Sequence, residues 1–301
     1  MGWLSAARAG GRGSPTTNMY DLIVIGGGPA GMMAAGRAAE LGANVVVLEK
    51  NDTLGKKLLI TGGGRCNVTN AEPDVRAFLA KFKKNDKFLF SAFSQWSVKE
   101  TLDFFHAHNM PTKVEAENRV FPKSDTAQSV WDVMVRSMKD NGVTVLSNSP
   151  VAGFVKKENN ITAVRLQNGK EVGARSFVLA TGGVSRPETG STGDGFVWLK
   201  DIGHTVVDPD PALVPIAVKD AWVKKLQGVN MPKAKITLFQ NGQKQGVREG
   251  KILFTHFGVS GPAVLNMSKD VGELLKYGAV MLSLDLLPSL NHEKLDAMLQ
   301  K

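Results

Sequence analysis

The sequence predicts an α/β fold in two parts: a domain of βαβ type built on parallel strands, then a β-rich second domain. Three observations carry this. A strand, a glycine turn, a helix and a second strand run in succession from Met19 to Lys50. Three consecutive glycines stand inside the run Gly55–Asn70. Beyond Arg186 prolines become frequent (Pro187, Pro209, Pro211, Pro215, Pro232), and β-type segments replace the βα rhythm.

The elements follow in order. Asp21–Ile25 is a short apolar run flanked by glycine, which reads as a buried strand. Ala30–Leu41 is alanine-rich and is followed by Gly42, the pattern of a helix with a glycine stop. Asn44–Leu48 is a second β-branched run. The region Asp74–Asn109 reads as helical, with Phe78, Phe82, Phe88, Phe93 and Phe104 expected in the core. Ser124–Asn141 reads as a helix opened by Ser124 or Asp125, and Val143–Leu146 as a strand. Val151–Lys157, Ile161–Leu166 and Glu171–Ala174 read as a small antiparallel meander with turns at Asn160 and Asn168–Gly169. Phe177–Ala180 reads as a third buried strand. The expected domains are 1–18 as a disordered extension, 19–186, 187–288, and 289–301 as the start of a further helical part.

Composition narrows the class. With 301 residues, 43% of them hydrophobic, the chain is globular. Its one cysteine, Cys66, allows no internal disulfide, which fits a reducing, cytoplasmic setting. No apolar run is long enough for a membrane span. The net charge is +9. Between Lys219 and Lys251 eight Lys and Arg face two acids, a local excess of +6. This reads first as a solvated face and second as steering of an anionic ligand. It lacks the interleaved aromatics or motif expected for a nucleic acid, which is not expected as a partner. A small-molecule substrate is expected; the sequence leaves the oligomeric state open.

Gly26-Gly27-Gly28-Pro29-Ala30-Gly31 fits G-x-G-x-x-G directly after a strand and at the opening of a helix. The first glycine makes the tight turn, the second admits a pyrophosphate close to the backbone, and the third lets helix and strand pack. The helix N-terminus offers free N–H groups and partial positive charge to phosphate. Glu49 closes the second strand 18 residues after Gly31, placed to accept both ribose hydroxyls of a dinucleotide. An acid here disfavours the 2′-phosphate of NADP, which leaves FAD or NAD. FAD is favoured because Gly55–Asn70 interrupts the strand–helix alternation, with Lys56 and Lys57 near the pyrophosphate. The later Leu179-Ala180-Thr181-Gly182-Gly183 is similar to the second glycine signature of flavoproteins with two dinucleotide domains.

The expected cofactor-binding residues are therefore Gly26, Gly28, Pro29, Ala30, Gly31, Glu49, Lys50, Lys57, Gly63, Gly64, Arg65, Cys66, Asn67, Val151, Thr181, Gly182 and Gly183. Cys66 reads as a small residue packed beside the cofactor and not as a redox nucleophile, since no partner cysteine exists. Arg65 has two readings: a cation that stabilises a reduced ring, or a structural or pyrophosphate contact. His256 reads either as a proton donor or acceptor over the substrate face or as a loop-shaping histidine. Arg65 and His256 are the catalytic candidates. The remaining histidines show no metal spacing, and no metal is expected.

Gly55–Asn70 closely resembles the signature of the YhiN/BaiN-like flavoproteins. The resemblance continues through Arg119–Ser124, Ala180–Gly183, Pro187–Gly195, Pro211–Pro215 and Leu253–Pro262, and so covers Met19 to about Leu287. It implies a glutathione-reductase-type FAD-binding Rossmann domain with an inserted β-rich, barrel-like domain and a further helical insertion. It implies an FAD-dependent oxidoreductase transferring hydride between a small organic substrate and flavin, with NAD(P)H as a candidate electron donor. Relatives suggest a reductase of unsaturated steroid acids or, alternatively, an amine oxidase of the aminoacetone type using oxygen. Members close with a returning segment that has a Gly-Glu-Val-Leu-Asp-like strand end and a Gly-Gly-Tyr-Asn-like helix start. Neither is found before Lys301, so the resemblance implies a C-terminal truncation. A third alternative is then a flavin-binding protein without turnover.

Overall fold

The computed structural model describes residues 19–82 and 85–300. The extension expected over 1–18 lies outside them. The chain divides into two compact units that meet in sequence at Val206 and Val207.

The first unit opens with β1 (Tyr20–Ile25), α1 (Pro29–Glu40) and β2 (Val45–Leu48). α2 (Lys56–Ile60), β3 (Thr69–Asn70), α3 (Val75–Ala80), α4 (Asp86–Gln95) and α5 (Val98–Ala107) follow. Next come β4 (Thr112–Glu115), β5 (Arg119–Pro122), α6 (Ala127–Asp140) and β6 (Thr144–Leu146). β7 (Val151–Lys157), β8 (Asn160–Leu166), β9 (Glu171–Leu179) and α7 (Asp194–Asp201) complete it. Six strands form one sheet in the order β6-β2-β1-β9-β8-β7, and β3, β5 and β4 form a small separate sheet.

The centre of the large sheet is parallel: Leu22 to Ile25 of β1 register with Val45 to Leu48 of β2. A parallel sheet is covered on both faces, so its strands are apolar throughout, and all four residues of β2 are buried. Alternation splits them between two cores. Val24, Val45 and Val47 pack with Met32 and Ala35 of α1 and with Met134 and Met138 of α6. Ile23, Ile25, Val46 and Leu48 pack on the other face with Val164, Leu166 and Trp198.

Three expectations are corrected in this unit. Glu171–Ala174 and Phe177–Ala180 are not separate strands. β9 runs through both, antiparallel to β8 in its first part and parallel to β1 over Tyr20–Ile25. The meander is thus continuous with the parallel sheet. Secondly, of the phenylalanines expected in the core only Phe104 packs against it, half-buried. Leu79 and Phe105 are buried instead, no residue of α4 is buried, and Phe88 is 87% exposed. Phe78, Phe82 and Phe93 cluster with ring centroids 5.0–6.4 Å apart. Their apolarity is satisfied locally between α3 and α4. Thirdly, Thr126 caps α6 by accepting from the Gln128 N–H at 3.2 Å, while Asp125 adopts a left-handed φ of 55°.

The unit boundary falls later than Arg186. The segment after Arg186 ends in α7, and Trp198 is buried in the β1–β2 core, which ties residues up to Val206 to the first unit.

The second unit is the β-rich domain. It contains β10 (Ile216–Ala217), α8 (Ala221–Lys225), β11 (Asn230–Gln240) and β12 (Gln243–Phe254). β13 (Gly258–Ser260), α9 (Pro262–Leu275), β14 (Met281–Asp285) and α10 (His292–Leu299) follow. Its five strands form an antiparallel sheet in the order β10-β13-β12-β11-β14. Ala234, Ile236 and Leu238 alternate along β11 into a core shared with Ile252, Phe254, Val264, Met267 and Val271. The 14-residue α9 was not anticipated within this β-type stretch. It is the element that buries one face of the sheet.

Two glycines of the first turn have different structural duties. A Cβ on Gly31 would lie 1.9 Å from the carbonyl oxygen of Gly26, whereas a Cβ on Gly28 would meet nothing within 4 Å. Gly31→Ala is therefore expected to destabilise the first unit by about 1–3 kcal/mol or more, as overpacking against rigid backbone does. Gly28→Ala is expected to cost no more than about 1 kcal/mol, the scale of an altered N-cap. Urea unfolding of both variants, without added ligand, checks the contrast; equal losses would contradict it.

Candidate functional site

A cleft of about 770 Å³ opens at the C-terminal ends of β1, β2 and β9, where parallel sheets place their ligand sites. Its lining includes Gly26, Gly28, Pro29, Ala30, Glu49, Lys50, Lys57, Val151, Thr181 and Gly182. These expected residues, scattered over the sequence, are brought together. Gly31 instead serves packing beneath the turn.

The turn is built by exclusion and by hydrogen bonding. Gly26 has φ 102° and its backbone passes so near β9 that a Cβ would stand 2.6 Å from the Ala180 carbonyl oxygen. Glu49, buried at 6% exposure, holds the next residue. Its Oε2 accepts from the Gly27 N–H at 2.7 Å, and its Oε1 accepts from the Asn51 backbone N–H at 2.8 Å and from Asn51 Nδ2 at 2.7 Å. A carboxylate offers about four acceptor positions. Three are taken, so this arrangement leaves one for a ribose hydroxyl instead of the two expected. α1 starts at Pro29 with no side chain capping it and no acid in its first turn. Its N-terminal dipole thus faces the cleft unneutralised, the condition for binding phosphate. The open space over Gly28 gives a ligand room to reach this backbone. An apolar–polar cleft of this size, an uncapped helix start and a buried carboxylate beside it together fit a dinucleotide.

Lys50 and Lys57 behave differently. Lys50 Nζ donates to Asp194 Oδ2 at 2.8 Å and to Thr192 Oγ1 at 2.6 Å. Lys57 Nζ donates to the Ser185 carbonyl and to Ser191 Oγ, both at 2.6 Å. Asn51 Nδ2 also reaches the Thr189 carbonyl at 3.2 Å. Three polar side chains, two directly after β2 and one in α2, thereby hold the loop between β9 and α7 against the cleft. Sequence reasoning missed Asn51 and Thr189–Thr192 as lining residues. The signal was available in the polar spacing Lys50-Asn51 and in the dense Pro187–Gly195 run. Burial holds the Lys57 ammonium below the usual lysine range, with Glu188 opposing the shift.

The glycine strip is arranged apart from that cleft lining. Gly62, Gly63 and Gly64 are all left-handed, at φ 56°, 69° and 86°, and Cys66 follows at φ 58°. Its peptide N–H donates to the Thr61 carbonyl at 3.1 Å. Cys66 is buried, and burial pushes its thiol above the usual range, which disfavours the thiolate a nucleophile needs. Arg65 does not line the cleft. Its guanidinium bonds Glu115 and Asp125 and lies 4.2 Å over the Phe121 ring. Asn67 and Gly63 are exposed. Gly183 adjoins Gly182 at the end of β9, outside the cleft lining. His256 belongs to the second unit, exposed in the short connection between β12 and β13, with the Phe257 ring at 4.9 Å. Among the described residues no group of three or more His, Cys, Asp or Glu could hold a metal ion, and no helix is long and apolar enough to cross a membrane.

The Lys50 ammonium, through its hydrogen bond, holds the Asp194 carboxyl below its ordinary value. A carboxyl lowered in the folded state adds stability that is present above the unfolded value and lost as pH falls through the folded one. The melting temperatures of wild type and Asp194→Asn are therefore expected to differ near neutrality and to converge below about pH 4. A gap that persists or widens on acidification would contradict the ion pair.

Comparison with known proteins places this architecture. The profile described as the HI0933-like protein Rossmann domain matches residues 20–282. The ribosomal RNA dihydrouridine synthase of Escherichia coli is 32% identical over 279 residues, covering 91% of this chain and 65% of that protein. The 3-dehydro-bile acid delta(4,6)-reductase of Clostridium scindens is 30% identical over 275 residues, covering 90% and 66%. The chain thus spans just under two thirds of the length of these curated relatives. Among solved structures, the open conformation of a flavocytochrome c3 fumarate reductase aligns with a TM-score of 0.56 at 21% identity, over 71% of this chain and 47% of that one. A 3-ketosteroid delta1-dehydrogenase from Sterolibacterium denitrificans aligns at 0.54 and 17%, over 73% and 62%. Both share the fold. With the glycine turn, the glycine strip and most of the β-rich second unit inside the matched span, the chain belongs to the HI0933-like Rossmann family, that of the YhiN/BaiN-like flavoproteins.

Proposed function

We propose that this chain is the FAD-binding portion of an oxidoreductase that reduces a carbon–carbon double bond conjugated to a carbonyl. The observation that carries the reading is the single cleft shared by the uncapped start of α1 and the buried Glu49 carboxylate. The substrate class is supported by the two relatives' names, one for dihydrouridine and one for a delta(4,6)-unsaturated 3-dehydro-bile acid. Uracil and an unsaturated 3-oxo steroid share that conjugation. The names favour reduction over the amine-oxidase alternative.

In this proposal the flavin, when bound, supplies hydride transfer, and the protein binds and orients it. The N–H groups at the start of α1 take the pyrophosphate, with Gly28 leaving space for it. Glu49 gives its remaining acceptor position to a ribose hydroxyl. Val151 covers the adenosine side, and Lys50 and Lys57 supply positive charge at the cleft wall. Thr181, Gly182 and Gly183 bring the end of β9 past the cofactor, and Gly63–Asn67 meets its ring end. His256 holds the proton delivered to the substrate. NAD(P)H is the proposed donor, a small unsaturated carbonyl compound the substrate, and the cytoplasm the compartment.

Cofactor identity is tested by denaturing the purified protein and chromatographing what it releases, or by titrating it with FAD where it is purified empty. FAD is expected; FMN or NAD alone would overturn the assignment. Glu49→Gln, which keeps the side chain's shape and removes its charge, is expected to weaken FAD binding by about 1–3 kcal/mol, the scale of a lost charged hydrogen bond. Bleaching of the bound flavin by NADH or NADPH, followed by reoxidation with a 3-oxo-Δ4 steroid acid or with uridine, tests the reaction. Bleaching by an amine such as aminoacetone, reoxidation by oxygen with release of a carbonyl product, ammonia and hydrogen peroxide, and neither unsaturated compound accepted, would favour the oxidase.

A further inference from the structure

The four side chains Arg65, Lys113, Glu115 and Asp125 meet at the edge of the small β3-β5-β4 sheet. Arg65 bonds both carboxylates: Nε reaches Asp125 Oδ1 at 2.9 Å, and a terminal nitrogen reaches Asp125 Oδ1 and Glu115 Oε1, each at 2.5 Å. Lys113 Nζ bonds Asp125 Oδ2 at 2.5 Å and lies 3.3 Å from Glu115 Oε1. Two cations and two anions cancel, so the group adds little net charge to its surroundings. What it adds is a mechanical tie. The carboxylates sit at the end of β4 and just before α6, on elements outside the glycine strip. The strip is anchored at its far end, where the Gly64 carbonyl accepts from the Ala127 N–H at 2.7 Å and Cys66 is buried, but its middle is thinly packed: a Cβ on Gly63 would meet nothing within 4 Å, and Gly62 and Gly63 are exposed. Yet four of its five residues from Gly62 to Cys66 are left-handed. Glycine enters that region freely, so the strip's path is set by what holds it, and Cys66, the one non-glycine of the four, keeps a left-handed φ only with such support.

We infer that Glu115 and Asp125 are positioning residues which, by gripping the Arg65 guanidinium from both sides against the Phe121 ring, set the conformation of Gly62–Asn67 for the flavin ring. The inference rests on the proposed FAD function for its purpose, but the grip itself is tested without flavin. The planar fork of arginine bonds two carboxylates at once, and a lysine ammonium is a point charge on a flexible stem. Arg65→Lys therefore keeps the charge and loses the grip.

Cys66, buried beside Arg65, reports the strip's conformation. In the full chain without added flavin, Arg65→Lys and the double variant Glu115→Gln/Asp125→Asn are expected to react with N-ethylmaleimide about tenfold faster than wild type or more, as local opening of the strip requires. Their far-UV circular dichroism and urea midpoint hold them comparable to wild type, and Glu171→Gln, which breaks a distant surface pair with Arg165, is expected to leave the rate unchanged. FAD titration by flavin fluorescence is then expected to show weaker binding in the two grip variants. Wild-type Cys66 protection in both variants would overturn the inference. So would an Arg65→Lys protein whose thiol rate and FAD affinity match wild type, because charge alone would then suffice. If the wild type binds no flavin, the proposed function fails, and the thiol rates still decide the grip.

Discussion

The fold of the cleft depends on one buried carboxylate. Glu49 ends an all-apolar strand at the point where the β1 turn must be held against it. Burying an ionised group is costly unless it is hydrogen-bonded. Gly27 and both amide groups of Asn51 provide those bonds. The demand runs in both directions: the carboxylate fixes the path of the turn, and the turn satisfies the carboxylate. From this junction the direction of α1 and the exposure of its N-terminus follow. Gly55 extends the same arrangement by donating its N–H to the Gly27 carbonyl at 2.9 Å, so the segment carrying the glycine strip begins at the turn itself.

β9 completes the cleft by belonging to two kinds of pairing at once. Its first half closes the antiparallel meander and its second half enters the parallel sheet beside β1. The strand therefore delivers Thr181 and Gly182 to the turn with no freedom to slip, since a one-residue shift would turn Phe177 and Leu179 out of the core they pack against. The loop that leaves it is held by Lys50, Asn51 and Lys57. Gly190 and Gly182 are needed there because a Cβ would stand 2.7 Å from Asn51 Nδ2 and 2.9 Å from Ser191 Oγ. These two glycines thus mark where polar side chains approach the backbone closely.

The two curated relatives act, by name, on a ribosomal RNA nucleoside and on a bile acid derivative. In this chain the first unit runs through α7, and the second has a sheet and an α9 that form a core of their own.

The sequence by itself determined the β1-turn-α1-β2 unit, with an acid, Glu49, at its end, and the β-rich character of the later part. Each is a local pattern: strand and helix periodicities, glycine where backbone must approach backbone, a lone acid at the end of an apolar run. Tertiary structure decided the rest because the deciding contacts are between residues far apart in sequence. The unity of β9 depends on neighbours on both of its edges. The unit boundary moved to Val206 because Trp198 fills a hole in the β1–β2 core that no reading of its own segment reveals. Arg65 read either as a cation for the ring or as a structural contact, and only the fold brings Glu115 and Asp125, fifty and sixty residues on, to bond its guanidinium. The phenylalanines of α3 and α4 have the composition of a core, but burial is set by what packs over a side chain, and here they pack chiefly on one another.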